Sequence, residues 1–437
     1  THPTWLPTDE IVQAPLVPSE VNATTGFRKH NLGDPVRQMP KPGSTTGETV
    51  GLPVMNLTRD CKISGSPNSR SHIRVMSNQV SDFSYVEIEY MGRPELGRYG
   101  LHFHQQGDGS RGTVLEGTVI KRSLSHTFVP HSSHGTAFKN FISYDSVLEG
   151  AWWDRGDSST DILYEDGLVC WVYSLPGRRL GAFELFTAVN PMIRRCIGIA
   201  VLGGRNSAAY QWPETAGFSG DADSVWGFED NVALACSHNS IFTWQNTPKR
   251  HDVPTGAGTK FTSINAGVAG IEHGAYLNNY QYHNFVIHSL PGTVGIVSNS
   301  RAKTDVPFVP RPDGYAHAWD HGHIFGGAVG IELSHHGASG AVVTVPTLYH
   351  DITFIGQTVA RFTWDDNKAL AEPQPANYDI VDCKKEGGAS LHISDVKLVS
   401  AVPGGRLRMQ SGNQAWRMDP SGAVTVIPLF YPDPVAV

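Results

Sequence analysis

Leu96-Gly97-Arg98-Tyr99-Gly100-Leu101-His102-Phe103-His104 sets two histidines in alternation with apolar residues. In a β-strand, residues two apart point to one face. His102 and His104 therefore project together, with Leu101 and Phe103 on the opposite side. Such a pair can bind a metal, move protons or hydrogen-bond a sugar. It can equally be a polar stack on the outside of a sheet. The residues alone leave both readings open.

Working outward, strands carrying a histidine recur at His72, His102 and His131, at near-equal steps of about 30 residues. A sandwich has no reason to return a like residue at equal steps. A β-solenoid does, because each coil brings the chain back to the same face one strand spacing higher. The spacing thus predicts that His72, His102 and His131 lie along one face. Many other short runs, among them Tyr85 to Tyr90, Thr113 to Ile120 and Thr136 to Ile142, are bounded by Gly, Asn, Ser or Asp. Asn140 and Asn284 suit the corners between such strands.

Composition agrees. The 437 residues include 46 glycines and 28 prolines, and only 17% are charged, which favours turns and short strands over long helices. A net charge of -7 without a basic run excludes a nucleic-acid-binding surface. No segment reaches the roughly 18 apolar residues needed to span a bilayer as a helix. The chain begins at Thr1 with no leader-like segment, so it reads as a mature or partial product. The cysteines, Cys61, Cys170, Cys196, Cys236 and Cys383, include no C-x-x-C pair, which argues against a zinc ribbon or redox motif, while one or two disulfides stay open.

Several pieces, in order, carry a family resemblance. Trp5-Leu6-Pro7-Thr8-Asp9-Glu10-Ile11-Val12 is similar to the last strand of a G8 domain. Val50 to Asp60 resembles the entry into a β-helix, and His72-Ile73 its following coil. Val86-Glu87 through Met91-Gly92, then Leu96 to His104 and Gly107-Asp108, resemble V-E-F-x-x-M-G-Q, L-G-R-Y-P-I-H-F-H and the G-D that follows. Ser123 to His134 places His131 on a family histidine. From about Trp5 to Leu168 the chain therefore resembles the right-handed parallel β-helix of the G8-domain proteins, a family of hyaluronan-binding, hyaluronan-degrading and fibrocystin-like surface proteins. There are departures. Gly100 replaces a proline. An insertion at His131-Ser132-Ser133-His134 makes His134 a rival for the His131 position. The family's G-H-x-F-F-L-E-D-G becomes Gly150 to Asp157, with Ala151 in place of the histidine.

The expected fold is all-β, a right-handed parallel β-helix with a short N-terminal G8 remnant. Residues 1–50 would end that domain, 51–360 form the helix, and 361–437 provide terminal coils, a cap or a partner contact. The resemblance implies an extracellular or cell-surface protein that binds, and in some members depolymerises, a glycosaminoglycan-like polysaccharide with Ca²⁺. Glycosidic cleavage needs either two carboxylates flanking the bond, as in a hydrolase, or, beside a uronic carboxylate, the base, acid and cation of a lyase. His102, His104, His131, Arg98, Tyr99 and Asp108 are the candidate catalytic set. His72, His134, Trp152 and Trp153 are candidate substrate contacts, and Asp154 and Asp157 are candidates for a carboxylate pair or for oxygen ligands of Ca²⁺. The alternative is a non-catalytic building block of a cell-surface or virion assembly that binds other surface proteins. In that case the histidines merely stack, and Arg98 and Asp108 hold the turn. A second histidine-rich stretch, His317-Ala318-Trp319-Asp320-His321-Gly322-His323 with Asp313, His335 and His336 nearby, has metal-ligating residue types but reads more simply as a solvated loop.

Overall fold

A computed structural model describes residues 5–152, 159–173, 178–185, 188–211, 227–243, 260–273, 280–299, 301–303, 315, 317–334, 342–344, 347–365, 377–400 and 405–430. They fold almost entirely as short β-strands, and the strands pair in parallel at fixed register, coil upon coil. The protein is a parallel β-helix. It divides into two compact units, Thr1–Phe242 with Thr262–Val268, and Thr243–Phe261 with Ala269–Val437.

In the first unit each coil contributes to three faces. The first face carries Ile73–Val75, Leu101–Gly107, Phe128–Ser133, Ala151–Trp152, Gly181–Glu184 and Ala208–Gln211. The second carries Val114–Glu116, Ala137–Lys139, Leu163–Glu165 and Met192–Arg194. The third carries Val119–Ser123, Ile142–Ser146, Leu168–Tyr173 and Ile197–Leu202. Inward positions stack in register: Leu101 on Phe128, and Leu115 on Phe138 on Tyr164 on Ile193. These side chains are 0–2% exposed, and each contributes about 1.5–3 kcal/mol of apolar burial.

The corners are as regular as the strands. Gly117, Asn140, Asp166, Arg195 and Asp230 all hold positive φ between the second and third faces. Left-handed backbone strains most L-residues but suits Gly, Asn and Asp. The expected corner residues Asn140 and Asn284 have φ of 49° and 56°.

The N-terminal segment does not continue the coils. Arg28–Lys29, Ile11–Gln13 and Val54–Asn56 form an antiparallel sheet. Its Val12, Phe27, Leu52 and Met55 pack over the outer side of the third face, against Val119, Tyr144, Cys170, Ile199 and Leu234. The Phe27 amide donates to Tyr144 Oη at 3.0 Å, and Asn265 Nδ2 donates to the Leu16 carbonyl at 2.9 Å. Lys121 Nζ lies 2.6 Å from Glu10 and 3.0 Å from Glu87, and Arg122 pairs with Glu10 and Glu89.

The second unit repeats the plan with longer strands. Ala269–His273, Val294–Asn299, Val329–Ser334, Ala360–Asp365 and Val396–Ser400 form one face. His317–Gly326 and Thr347–Ile355 run through a corner as single bent strands, kinked at His321 and Asp351 with φ of 53° and 47°.

Beyond residue 361, Asn377–Val381 and Arg406–Ser411 still pair in parallel with their predecessors. Only Gln414–Met418 and Val424–Ile427 turn antiparallel. The Pro-bearing stretch after Asp365, linker-like in composition, lies outside the described residues. All five cysteines, whose pairing the sequence left open, are unpaired, and only Cys61 is exposed.

Candidate functional site

The first-face strands place three imidazoles together. Phe103 and Leu101 point inward and are fully buried, so alternation sends His102 and His104 outward. His104 is in register with His131 on the next coil. His104 Nδ1 lies 3.1 Å from His131 Nδ1 and 3.3 Å from His102 Nε2, and the His102 and His131 rings are parallel within 4°. His102 is fully buried; the other two are half-buried. Its Nδ1 sits 3.1 Å from the Gly97 carbonyl. A carbonyl only accepts, so Nδ1 carries the proton and Nε2 turns its lone pair toward His104.

One nitrogen from each of the three rings lies within 4.8 Å of the others. Nitrogens bound about 2.1 Å from a tetrahedral zinc lie about 3.4 Å apart, close to the two contacts above. A distal N–H given to a backbone carbonyl is also the usual support of a ligating histidine. The trio fits a borderline transition metal. It does not fit Ca²⁺, which takes oxygen ligands. The Ca²⁺ expectation came from the family resemblance; its candidate oxygen ligands, Asp154 and Asp157, lie outside the described residues, as does Trp153.

Tyr99 links this trio to a pocket. Its ring centre is 4.7 Å from that of His102, 5.2 Å from His126 and 5.5 Å from Trp152. The pocket, about 540 Å³, is lined by Tyr99, His126, Glu149, Trp152, Arg178, Arg179 and Glu184, among others. His126 and Glu149 precede the first-face strands of successive coils. Glu184 is in register with Trp152. His126 Nδ1 lies 3.0 Å from Glu149 Oε2, and Arg178 approaches the same oxygen at 3.9 Å.

The two buried glutamates both line this pocket and are pushed in opposite directions. Burial alone would raise Glu149, but His126, the Glu184 carboxyl and Arg178 outweigh it and hold Glu149 down to about 2. Burial, and then the charge of Glu149, push Glu184 well above the carboxylate range. Glu149 is the carboxylate and Glu184 the protonated acid that donates to it.

Other expected site residues lie elsewhere. His72 falls two positions out of register, since Ile73 pairs with Leu101 and Arg74 with His102. Its surroundings are Arg74, Arg98, Arg93 and Glu95; burial first and then these arginines lower its pKa. Arg98 reaches Glu95 at 3.8 Å rather than the trio. Asp108 begins a single helical turn, 78% exposed, and pairs with Arg111 at 2.7 Å. Arg98 and Asp108 thus each hold a local turn, but not through each other. His134 Nδ1 accepts the Thr160 amide at 3.1 Å and secures a corner, which leaves His131 as the member of the trio. Trp152 is only 6% exposed and stacks one face on His126 at 3.7 Å and 4°, so it is a packed part of the pocket wall rather than an open platform. His126, Glu149, Glu184, Arg178 and Arg179 were not anticipated. The signal for the first two was their position just before strands that begin with an inward residue.

Residues 69–153 match the family described as CEMIP beta-helix. The human cell surface hyaluronidase CEMIP2 is 37% identical over 83 residues, which are 17% of this chain and 6% of that protein. The zebrafish (Danio rerio) cell surface hyaluronidase is 31% identical over 84 residues, again 17% of this chain and 6% of the relative. The mouse cell migration-inducing and hyaluronan-binding protein is 37% identical over 68 residues, 14% of this chain and 5% of its own length. The matched stretch is thus a small part of each relative. Among solved structures, a bacteriophage CBA120 tailspike protein aligns over 84% of this chain and 64% of its own, at 11% identity and a TM-score of 0.25, too loose a likeness to bear on the fold. Over residues 69–153 this chain is similar to the CEMIP β-helix, and His102, His104, His131, Tyr99, His126 and Glu149 all lie within that stretch.

Proposed function

We propose that this chain is a surface protein that binds an acidic, glycosaminoglycan-like polysaccharide on the first face of its first unit and cleaves it there. One observation carries the reading: three converging imidazoles adjoin, through Tyr99, a pocket with Arg178 and Arg179 in its lining. Guanidinium groups grip carboxylates and sulfates in two-point contacts. The half-buried imidazoles of His104 and His131 carry ring nitrogens whose lone pairs can take a proton from a sugar carbon beside a uronic carboxylate. The relatives' names and the position of the trio inside the matched stretch support this choice of polymer. Were the trio to hold a metal instead, its ring nitrogens would act as ligands rather than bases and the metal would supply positive charge for the developing anion.

Incubation with hyaluronan, chondroitin sulfate and heparin tests the reading, with new reducing ends and ultraviolet absorbance of unsaturated products as readouts. Cleavage that falls at least 100-fold in His131→Ala is expected. The absence of cleavage of every polymer overturns it. Filaments or stoichiometric capture of a surface protein would support the alternative, a non-catalytic assembly block, which the exposed Val424 and Val426 of the last strand favour.

A further inference from the structure

The second unit gathers a separate set of metal-ligating side chains, away from the residues matched to the family. His283, Asp320 and His350 occupy one register position on three successive coils, with His283 paired to Asp320 and Asp320 to His350. Parallel coils stack like positions about 4.8 Å apart, so three side chains of one ladder meet. His321 joins them because it is the corner residue. Its φ of 53° breaks the strand's alternation and turns its ring back to Asp320. His323, which simple alternation would have placed beside His321, instead lies against Phe325.

The result is one carboxylate surrounded by three imidazoles. Asp320 Oδ1 is 2.7 Å from His350 Nδ1 and 2.8 Å from His321 Nδ1, and Asp320 Oδ2 is 3.4 Å from His283 Nδ1. The distal nitrogens have oxygen partners. His283 Nε2 is 2.9 Å from Gln281 Oε1, and His321 Nε2 is 3.6 Å from Asp351 Oδ2. In a neutral His283 whose Nε2–H is given to Gln281, Nδ1 presents a lone pair to a carboxylate. That arrangement calls for a cation between them. Outer oxygens that fix ring orientation are the customary support of ligating histidines. His350 is 8% exposed, whereas the His321 side chain is 54% exposed, so the cluster is anchored on one side and open to water on the other.

We propose that Asp320, His321 and His350, assisted by His283, form a binding site for a divalent transition metal of the zinc class. One carboxylate with two or three imidazoles and an open water position is a donor set that zinc accepts and calcium does not favour. Asp320, His321 and His350 offer ligand atoms that all lie within 4.8 Å of one another.

Zinc alone is the probe, titrated into the full chain after chelator treatment. Calorimetry and the visible spectrum of Co²⁺ in place of zinc are the readouts. A His104→Ala, His131→Ala background removes the imidazole trio of the first unit. In that background one zinc per chain is expected, with affinity falling at least 100-fold in His321→Gly or Asp320→Asn. Glycine suits the corner φ, so His321→Gly keeps the fold. In the otherwise unmodified chain, His321→Gly should remove one bound zinc. No zinc uptake by the background, or uptake untouched by both substitutions in folded protein, overturns the site. The readout is bound metal rather than polymer cleavage, so it stands apart from the activity proposed above.

Discussion

His104 and His131 meet nitrogen to nitrogen across neighbouring coils, 3.1 Å apart at Nδ1. The contact exists because the two residues share a register position. It also constrains their protons, since two imidazoles can hold such a contact only if one donates or a cation joins them. With His102 Nδ1 protonated against Gly97, long-range nitrogen NMR should show His102 as the Nδ1–H tautomer, and added zinc should shift the Nε2 signal. A His102 found as the Nε2–H tautomer would remove the basis for treating the trio as ligands.

Glu184 sets a pH dependence. Its carboxyl is raised in the folded state, so the folded protein binds a proton that the unfolded chain releases near pH 4.3. The stability tied to that proton is complete below this value and is lost as pH rises toward the folded pKa. Glu149 acts in the opposite window, losing its contribution as pH falls from about 4.3 to about 2. Glu184→Gln keeps an N–H donor for Glu149 but cannot ionise. Its melting temperature should fall less than the parent's between pH 5 and pH 8. Parallel profiles for the two proteins would refute the assignment of the shared proton.

Trp152 is a packing residue. It is buried with its face on His126 and Tyr99 edge-on beside the pair, and its replacement by Ala should cost about 3–5 kcal/mol, with a matching fall in the denaturant midpoint. Trp152→Phe should recover about half of that. A sugar-platform role would instead leave the midpoint in place and weaken only polymer binding.

The corner residues predict a conformational series. Asn140→Gly should be neutral or slightly stabilising, since φ is 49°. Asn140→Val should cost about 1–2 kcal/mol through the left-handed backbone. Equal stability of the two variants would contradict the corner geometry.

The near-equal return of His72, His102 and His131 disclosed a solenoid, and the alternation around His102 disclosed its outward face. Register was the part that spacing could not deliver. His131 shares its register position with His104 rather than with His102, and His72 falls out of that register, because the number of residues per coil varies. The pocket was harder still to see. Tyr99, His126, Glu149 and Glu184 come from different coils, each placed by a corner of its own length, so no fixed interval joins them in the chain. The Asp320 cluster has the same origin. Its motif was visible, but His350 and His283 enter from neighbouring coils, and His321 enters only through a positive φ that alternation does not foresee.

The N-terminal sheet lies across the coils as a splint. Its contacts reach Lys121, Tyr144, Cys170 and Asn265, residues of several different turns. A solenoid whose coils touch only their neighbours can fray from one end, a turn at a time. Here a turn that loosens must also pull on a strip fastened to turns farther along. The first unit should therefore open as a block, and tension entering through the N-terminal segment is shared along its flank rather than concentrated on the first coil.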